Sequence, residues 1–259
     1  ALKTLRAVGA PSTRFREDPL RMLRAARFSA QLGFAIEERT FRAVSKMSHR
    51  ILQVSKERWT SELDRLLLSE HVRKGLEVLM ESGLCRFILP EISLQKDYGQ
   101  NSKYHRFTLW EHTLRVTASV PRDIHLRWAA FLHDVAKPFV RLDKEDRSTY
   151  AGHDLLGYDL VVRLGGHLRW PKERTRAVAG LVRDDEAVPF ACCLDPAGDE
   201  VELLGRRVAS LPLLHDDTVG FHRPQESPEG AVVVLAHVEL AREVLRPHRP
   251  PGVRAEELE

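Results

Sequence analysis

Cysteine is scarce: three in 259 residues, at Cys85, Cys192 and Cys193. A sparse, odd count excludes a disulfide framework and fits a reducing compartment, so a cytoplasmic location is expected. Although 43% of the residues are hydrophobic, no run approaches the roughly 20 apolar residues of a spanning helix. No membrane partner is therefore expected. No secretory signal is visible at the start, and no internal repeat marks a solenoid. The first residue is Ala, which is compatible with a natural chain that begins earlier. Long Pro-free stretches dominate the first two thirds, whereas Pro196, Pro212, Pro224, Pro228, Pro247, Pro250 and Pro251 interrupt the last part.

Charge is nearly balanced overall, at +3, but unevenly placed. Residues 1–75 hold 16 Lys and Arg against 8 Asp and Glu, a net of +8; the remaining 184 residues hold 24 against 29, a net of −5. A basic first third suits a polyanion such as RNA or a nucleotide phosphate. The plainer reading is a solvated, Arg-rich helical surface.

Apolar residues recur at spacings of three and four, which predicts helices almost throughout. Asp18 reads as an N-cap and Pro19 as a first helical residue; that helix carries Leu20, Leu23, Arg27, Ala30 and Phe34 on one side and ends at Gly33. Further helices are expected over 38–49, 56–68 (with Trp59, Leu63, Leu66 and Leu67 inward), 71–81, 109–119, 122–136, 153–163 and 171–185, with another over 230–245. Residues 93–107 read as a polar loop and 142–152 as a hairpin or lid. Thr108 and Glu111 form a capping-box pattern that puts His112 in a first turn. The expected fold is all-α: a short-helix neck and body over 1–92, a helical bundle over 93–190 and an irregular extension over 191–259.

The residues hardest to explain by packing are His133 and Asp134, inside the apolar string Phe131-Leu132-His133-Asp134-Val135-Ala136. A buried carboxylate is costly unless paired or bound to a cation. His112, His133, Asp134 and a late Asp, with Asp185 preferred over Asp184, come from three predicted helices. Two imidazoles and carboxylates suit Mn, Fe, Co, Ni or Mg, and no Cys partner is at hand for a structural zinc site. Such an ion would activate water and polarise a phosphoryl oxygen, making phosphoester hydrolysis the natural reaction. His153 is a candidate for a second metal or for phosphate, or a plain surface histidine. Lys137, one turn after His133, either faces a substrate phosphate or is a helix-end cation. Asp18 and Arg21 share one side of a helix start, and their acceptors and donor fork can read a base edge. Arg24 and Arg27 continue the series toward phosphate; the plain alternative is an N-cap with a surface Arg stripe.

The order His112, His133-Asp134, late Asp is similar to that of the HD phosphohydrolase superfamily. With Tyr104-His105, Thr108, Glu111-His112, the string to Lys137-Pro138 and Gly152-His153, it resembles the HD domain of bacterial tRNA nucleotidyltransferases. Glu17-Asp18-Pro19-Leu20-Arg21 resembles the E-D-x-x-R motif of class II CCA-adding enzymes and poly(A) polymerases. Gln31-Leu32-Gly33-Phe34, Ser55-Lys56-Glu57-Arg58, Gly83-Leu84 and Ile88-Leu89-Pro90-Glu91 match the same family, so the resemblance covers roughly 1–185. It implies that Asp18 and Arg21 select CTP or ATP, that tRNA is the partner, and that CMP or AMP joins a tRNA 3′ end in the complete enzyme. The family's Mg-binding transferase head, with its Gly-Ser stretch and paired carboxylates, has no counterpart in this sequence; nucleotidyl transfer is not expected from this chain alone. Two other readings stand beside it: a metal-dependent phosphohydrolase acting on 2′,3′-cyclic nucleotides or RNA ends, and a non-catalytic RNA-binding module.

Overall fold

A computed structural model describes residues 3–99, 107–143 and 148–184, all within the compact unit Ala1–Leu213. Expectations that rest on Asp185, on the Tyr104-His105 pair, on residues 230–245 and on the extension from 191 lie outside the described residues.

Among the described residues the fold is all-α, with two minimal strand pairs. In chain order the elements are β1 (Thr4–Leu5), α1 (Pro11–Glu17), α2 (Leu20–Leu32), β2 (Ala35–Ile36), α3 (Glu38–Met47) and a 3₁₀ segment, Ser48–Gln53. Then come α4 (Lys56–Leu67), α5 (Val72–Glu81), α6 (Cys85–Ile88), α7 (Pro90–Ser93), α8 (Leu109–Ser119), α9 (Ile124–Leu132) and α10 (Lys137–Val140). The last are β3 (Leu142–Asp143), β4 (Ser148–Thr149), α11 (His153–His167) and α12 (Lys172–Arg183). Strands β1 and β2 pair in parallel, Thr4 with Ala35 and Leu5 with Ile36, tying the start of the chain to the end of α2. The expected hairpin is present as antiparallel β3 and β4.

The 3.6-residue period decides what packs. Helix α2 buries Leu20, Met22, Leu23, Ala26 and Ala30; α4 turns Trp59, Leu63, Leu66 and Leu67 inward as expected. Each fully buried Leu of this kind stabilises by roughly 1.5–3 kcal/mol. Gly75 lets α5 lie directly on α2: a Cβ there would stand 2.6 Å from that of Ala30. Helix α2 stops at Gly33, which adopts φ +66° and returns its N–H to the Ser29 carbonyl.

Three boundaries differ from expectation. Helix α1 was not anticipated, because its Arg-rich run hides Pro11 and Phe15, which are buried. The helix predicted over 122–136 ends at Leu132: Asp123 caps its start by accepting from His125 and Leu126, and residues 133–136 form turns before α10. Pro138 therefore sits in the first turn of α10, where its missing N–H costs nothing. The predicted polar loop at 93–107 begins inside α7, and its Gln95 is fully buried. The boundary placed between 92 and 93 thus falls within a helix.

Helix α4 is joined to α9, to α12 and to the turn before α12 by specific bonds. Asp64 of α4 accepts from Arg174 of α12 at 2.5 and 2.9 Å and from the Trp128 indole at 2.8 Å. The Arg174 guanidinium also lies 4.6 Å from the Trp170 ring centre. Thr60 donates to the Leu168 carbonyl at 2.7 Å. Helix α11 closes in a left-handed turn: Trp170 N–H returns to the Gly165 carbonyl and Arg169 adopts φ +59°. An L-residue other than Gly in that conformation costs roughly 1–2 kcal/mol.

Candidate functional site

The strongest site is assembled from α8 and the turn after α9. The Thr108 hydroxyl accepts from Glu111 N–H at 3.2 Å, fixing the first turn of α8 and the position of His112. Glu111 does more than complete a cap. Its carboxylate takes two bonds from Arg73 of α5, at 2.9 and 2.7 Å, and one from Arg115 at 2.7 Å, and these cations hold it below the usual carboxylate range.

His112, His133 and Asp134 converge, all three buried. The two Nε2 atoms face each other at 3.1 Å, while Asp134 Oδ2 lies 3.1 Å from His133 Nε2 and 3.5 Å from His112 Nε2. His133 Nδ1 lies 2.8 Å from the Ala130 carbonyl. A carbonyl accepts only, so that contact puts a proton on Nδ1 and turns Nε2 into the cluster. Asp134 Oδ2 is 2.8 Å from Lys137 Nζ, yet it receives no well-directed hydrogen bond. Burial works to raise the Asp134 carboxyl; His133, Lys137 and His112 outweigh it and hold the group well below its usual range. Two convergent imidazole nitrogens beside a buried carboxylate oxygen form a donor set that fits a divalent cation.

Lys137 does not point at open solvent. Its side chain is about nine-tenths buried against Asp134, and it begins α10 rather than ending a helix. His153 starts α11 with Nδ1 2.8 Å from the Tyr150 carbonyl and is not one of the three convergent ligands.

Gln95 escaped the sequence reading. It accepts from the Thr113 hydroxyl at 2.9 Å, next to His112, and donates to the Asp134 carbonyl at 3.3 Å. One buried amide thus links the two segments that carry the ligands. The available signal was the isolated Gln at the end of the apolar pattern in Ile92-Ser93-Leu94-Gln95.

The second candidate face is basic. A cavity of about 390 Å³ is lined by Arg6, Arg14, Arg21 and Arg24, with Phe15 and Phe28 as apolar walls. Asp18 accepts from Leu20 N–H at 3.2 Å and lies 3.4 Å from Arg58; α2 itself begins at Leu20, one residue after the expected start, with Pro19 at its cap position. Arg21 turns the other way, to Glu17 at 2.7 Å and the Arg14 carbonyl at 3.0 Å. A base read by both would take the places now held by Arg58 and Glu17. Arg27 is no free phosphate ligand: it is buried and bonded to Glu62 at 2.6 Å and Gln31 at 2.8 Å. Arg24 shares Glu62, at 3.1 Å.

A family described as "Probable RNA and SrmB- binding site of polymerase A" matches residues 33–95. Among curated proteins, the CC-adding tRNA nucleotidyltransferase of Thermus thermophilus is 37% identical over 64% of this chain and 41% of its own length. The A-adding tRNA nucleotidyltransferase of Deinococcus radiodurans is 33% identical over 65% of this chain and 41% of its own. The CCA-adding enzyme of Geobacillus kaustophilus is 35% identical over 80% and 49%. The chain therefore spans less than half the length of these relatives.

Proposed function

The chain is related to the tRNA nucleotidyltransferase and poly(A) polymerase family, and from that kinship we propose that it holds the 3′ region of a tRNA and helps select the incoming CTP or ATP. Helices α3 to α5 would contact the RNA backbone, and Asp18 and Arg21 would read the base, with Arg24 beside them. The observation that carries this reading is the match of residues 33–95 to an RNA-binding family, on helices that expose Arg39, Arg42, Lys46, Arg58 and Arg65. RNA held by its phosphates binds with strong salt dependence. Anisotropy titrations with a tRNA minihelix over a salt series should give log-linear weakening. Asp18→Ala and Arg21→Ala should weaken CTP or ATP binding more than RNA binding. No RNA binding even at low salt would rule the reading out.

A second role rests on the convergence of His112, His133 and Asp134 around an under-satisfied Asp134 oxygen. These residues, with Asp185 as the further ligand, would hold Mn, Co, Ni, Fe or Mg. The ion would supply Lewis acidity toward a phosphate ester, of the class of 2′,3′-cyclic nucleotides or RNA ends. The chain's own part is to fix the ligands: the Ala130 carbonyl orients the His133 ring, Gln95 ties His112's helix to Asp134, and Lys137 balances the carboxylate charge. Calorimetric titration with each metal, with His133→Ala as control, tests the binding, and hydrolysis of a 2′,3′-cyclic nucleotide tests the chemistry. Metal binding equal in wild type and His133→Ala would refute the site.

A further inference from the structure

We infer that the cleft between the exposed face of α4 and the turn joining α11 to α12 is a second RNA phosphate contact, with Arg169 as its principal cation. The inference rests on the RNA-binding reading above and extends it beyond the nucleotide-selecting face. The cleft encloses about 410 Å³, and its cations are Arg65 and Arg169. Its walls are bonded to one another. Thr60 is bonded to the Leu168 carbonyl, and beneath it Arg174 packs against Trp128 and Trp170. Of the two carboxylates that line it, Asp64 is already taken by Arg174 and the Trp128 indole, which leaves Glu57 against two exposed guanidiniums.

The backbone adds an independent observation. Arg169 is the only non-glycine residue with positive φ among the described residues, and it stands at the turn position that glycine fills most cheaply. Strain of this kind concentrates at functional positions. The left-handed turn directs the chain so that residue 169 borders the cleft, and glycine would supply the turn without the cation. Arg65 lines both this cleft and the cavity that holds Arg21 and Arg24, so one exposed stripe of α4, Arg58, Ser61 and Arg65, connects the two. An RNA strand crossing that stripe would meet guanidiniums at each end.

Arg169→Gly separates the cation from the fold, because glycine suits the turn. Its melting temperature should equal or exceed that of wild type. Its affinity for a tRNA minihelix should fall about five- to eightfold at 0.1 M salt, and the slope of log K against log salt should shrink by about 0.7–0.9, the loss of one phosphate contact. Arg65→Gln should act in the same direction, and Arg169→Lys should restore most of the slope. Unchanged affinity and slope in a folded Arg169→Gly protein would overturn the inference while leaving the RNA-binding reading intact. A wild type that binds no RNA would remove both.

Discussion

Two buried carboxylates, Glu62 in the basic body and Asp134 in the later bundle, solve the same problem in opposite ways. Glu62 is 4% exposed and Asp134 1%. Glu62 gives each oxygen its own guanidinium, Arg24 at 3.1 Å and Arg27 at 2.6 Å, so its acceptors are occupied by directed bonds. Asp134 instead aims Oδ2 at a lysine and two imidazole nitrogens, none of which gives it a well-aligned hydrogen bond. The first is a closed ion cluster; the second is a donor set that a cation would complete. Burial alone does not mark a site. The state of the acceptor lone pairs distinguishes the two.

Asp134→Ala should have the largest effect. It removes a proposed ligand and leaves Lys137 buried without its carboxylate, which destabilises by about 3–5 kcal/mol. Wild type should gain about 2.7 kcal/mol of stability at a metal concentration 100 times Kd, and the variant nothing. Thermal melts with and without Mn, Co or Ni read both. A variant still stabilised by metal would break the comparison, since the open carboxylate would not be what recruits the ion.

Glu62→Ala should come next. It strands Arg27, which retains Gln31 and the face of Phe28, and should cost about 3 kcal/mol in urea unfolding. Metal-dependent stabilisation should be untouched. If metal affinity changed as well, the two clusters would be coupled rather than independent.

Gln95→Ala sharpens the contrast from the side of the open site. It leaves the Thr113 hydroxyl and the Asp134 carbonyl without their shared partner, at about 1–3 kcal/mol. As a group that orients ligands rather than binds the ion, it should lower metal affinity about 10- to 100-fold. Gln95→Met keeps most of the side-chain volume but neither bond, so its metal affinity should fall as far as that of Gln95→Ala. Wild-type affinity in Gln95→Met would reduce Gln95 to a packing role.

Most of the fold was legible because it follows from the 3.6-residue period and from local punctuation. Gly33, the Thr108 cap and the inward face of α4 stand where the pattern puts them. Helix α1 was hidden because only Pro11 and Phe15 of its seven residues are buried, too few to mark a periodic face. The end of α9 at Leu132 was missed because the turns at 133–136 contain no Gly or Pro, and Val135 and Ala136 continue the apolar pattern. At the site, His112, His133 and Asp134 were readable from chemistry that does not belong on an apolar helix. Gln95, the Glu111–Arg73 clamp and the engagement of Arg27 by Glu62 were not, because each depends on a partner more than 15 residues away.

Glu91 supplies the mildest test and the third case, a buried carboxylate with no cation in directed contact. It is 9% exposed, its Oε2 lacks a hydrogen-bond partner, and burial raises its pKa above 4.5, with Arg163 only partly opposing. The neutral carboxyl is therefore the form the fold prefers. Its contribution is complete below 4.5 and is lost as pH rises through the folded-state value, the reverse of Asp134, whose lowered pKa places the loss on the acid side. Glu91→Gln is neutral at every pH. Its melting temperature relative to wild type should climb as pH is raised from about 4 toward neutrality and then level off. A flat difference would mean that the carboxylate finds a cation once ionised, and Glu91 would then belong with Glu62 among the closed clusters.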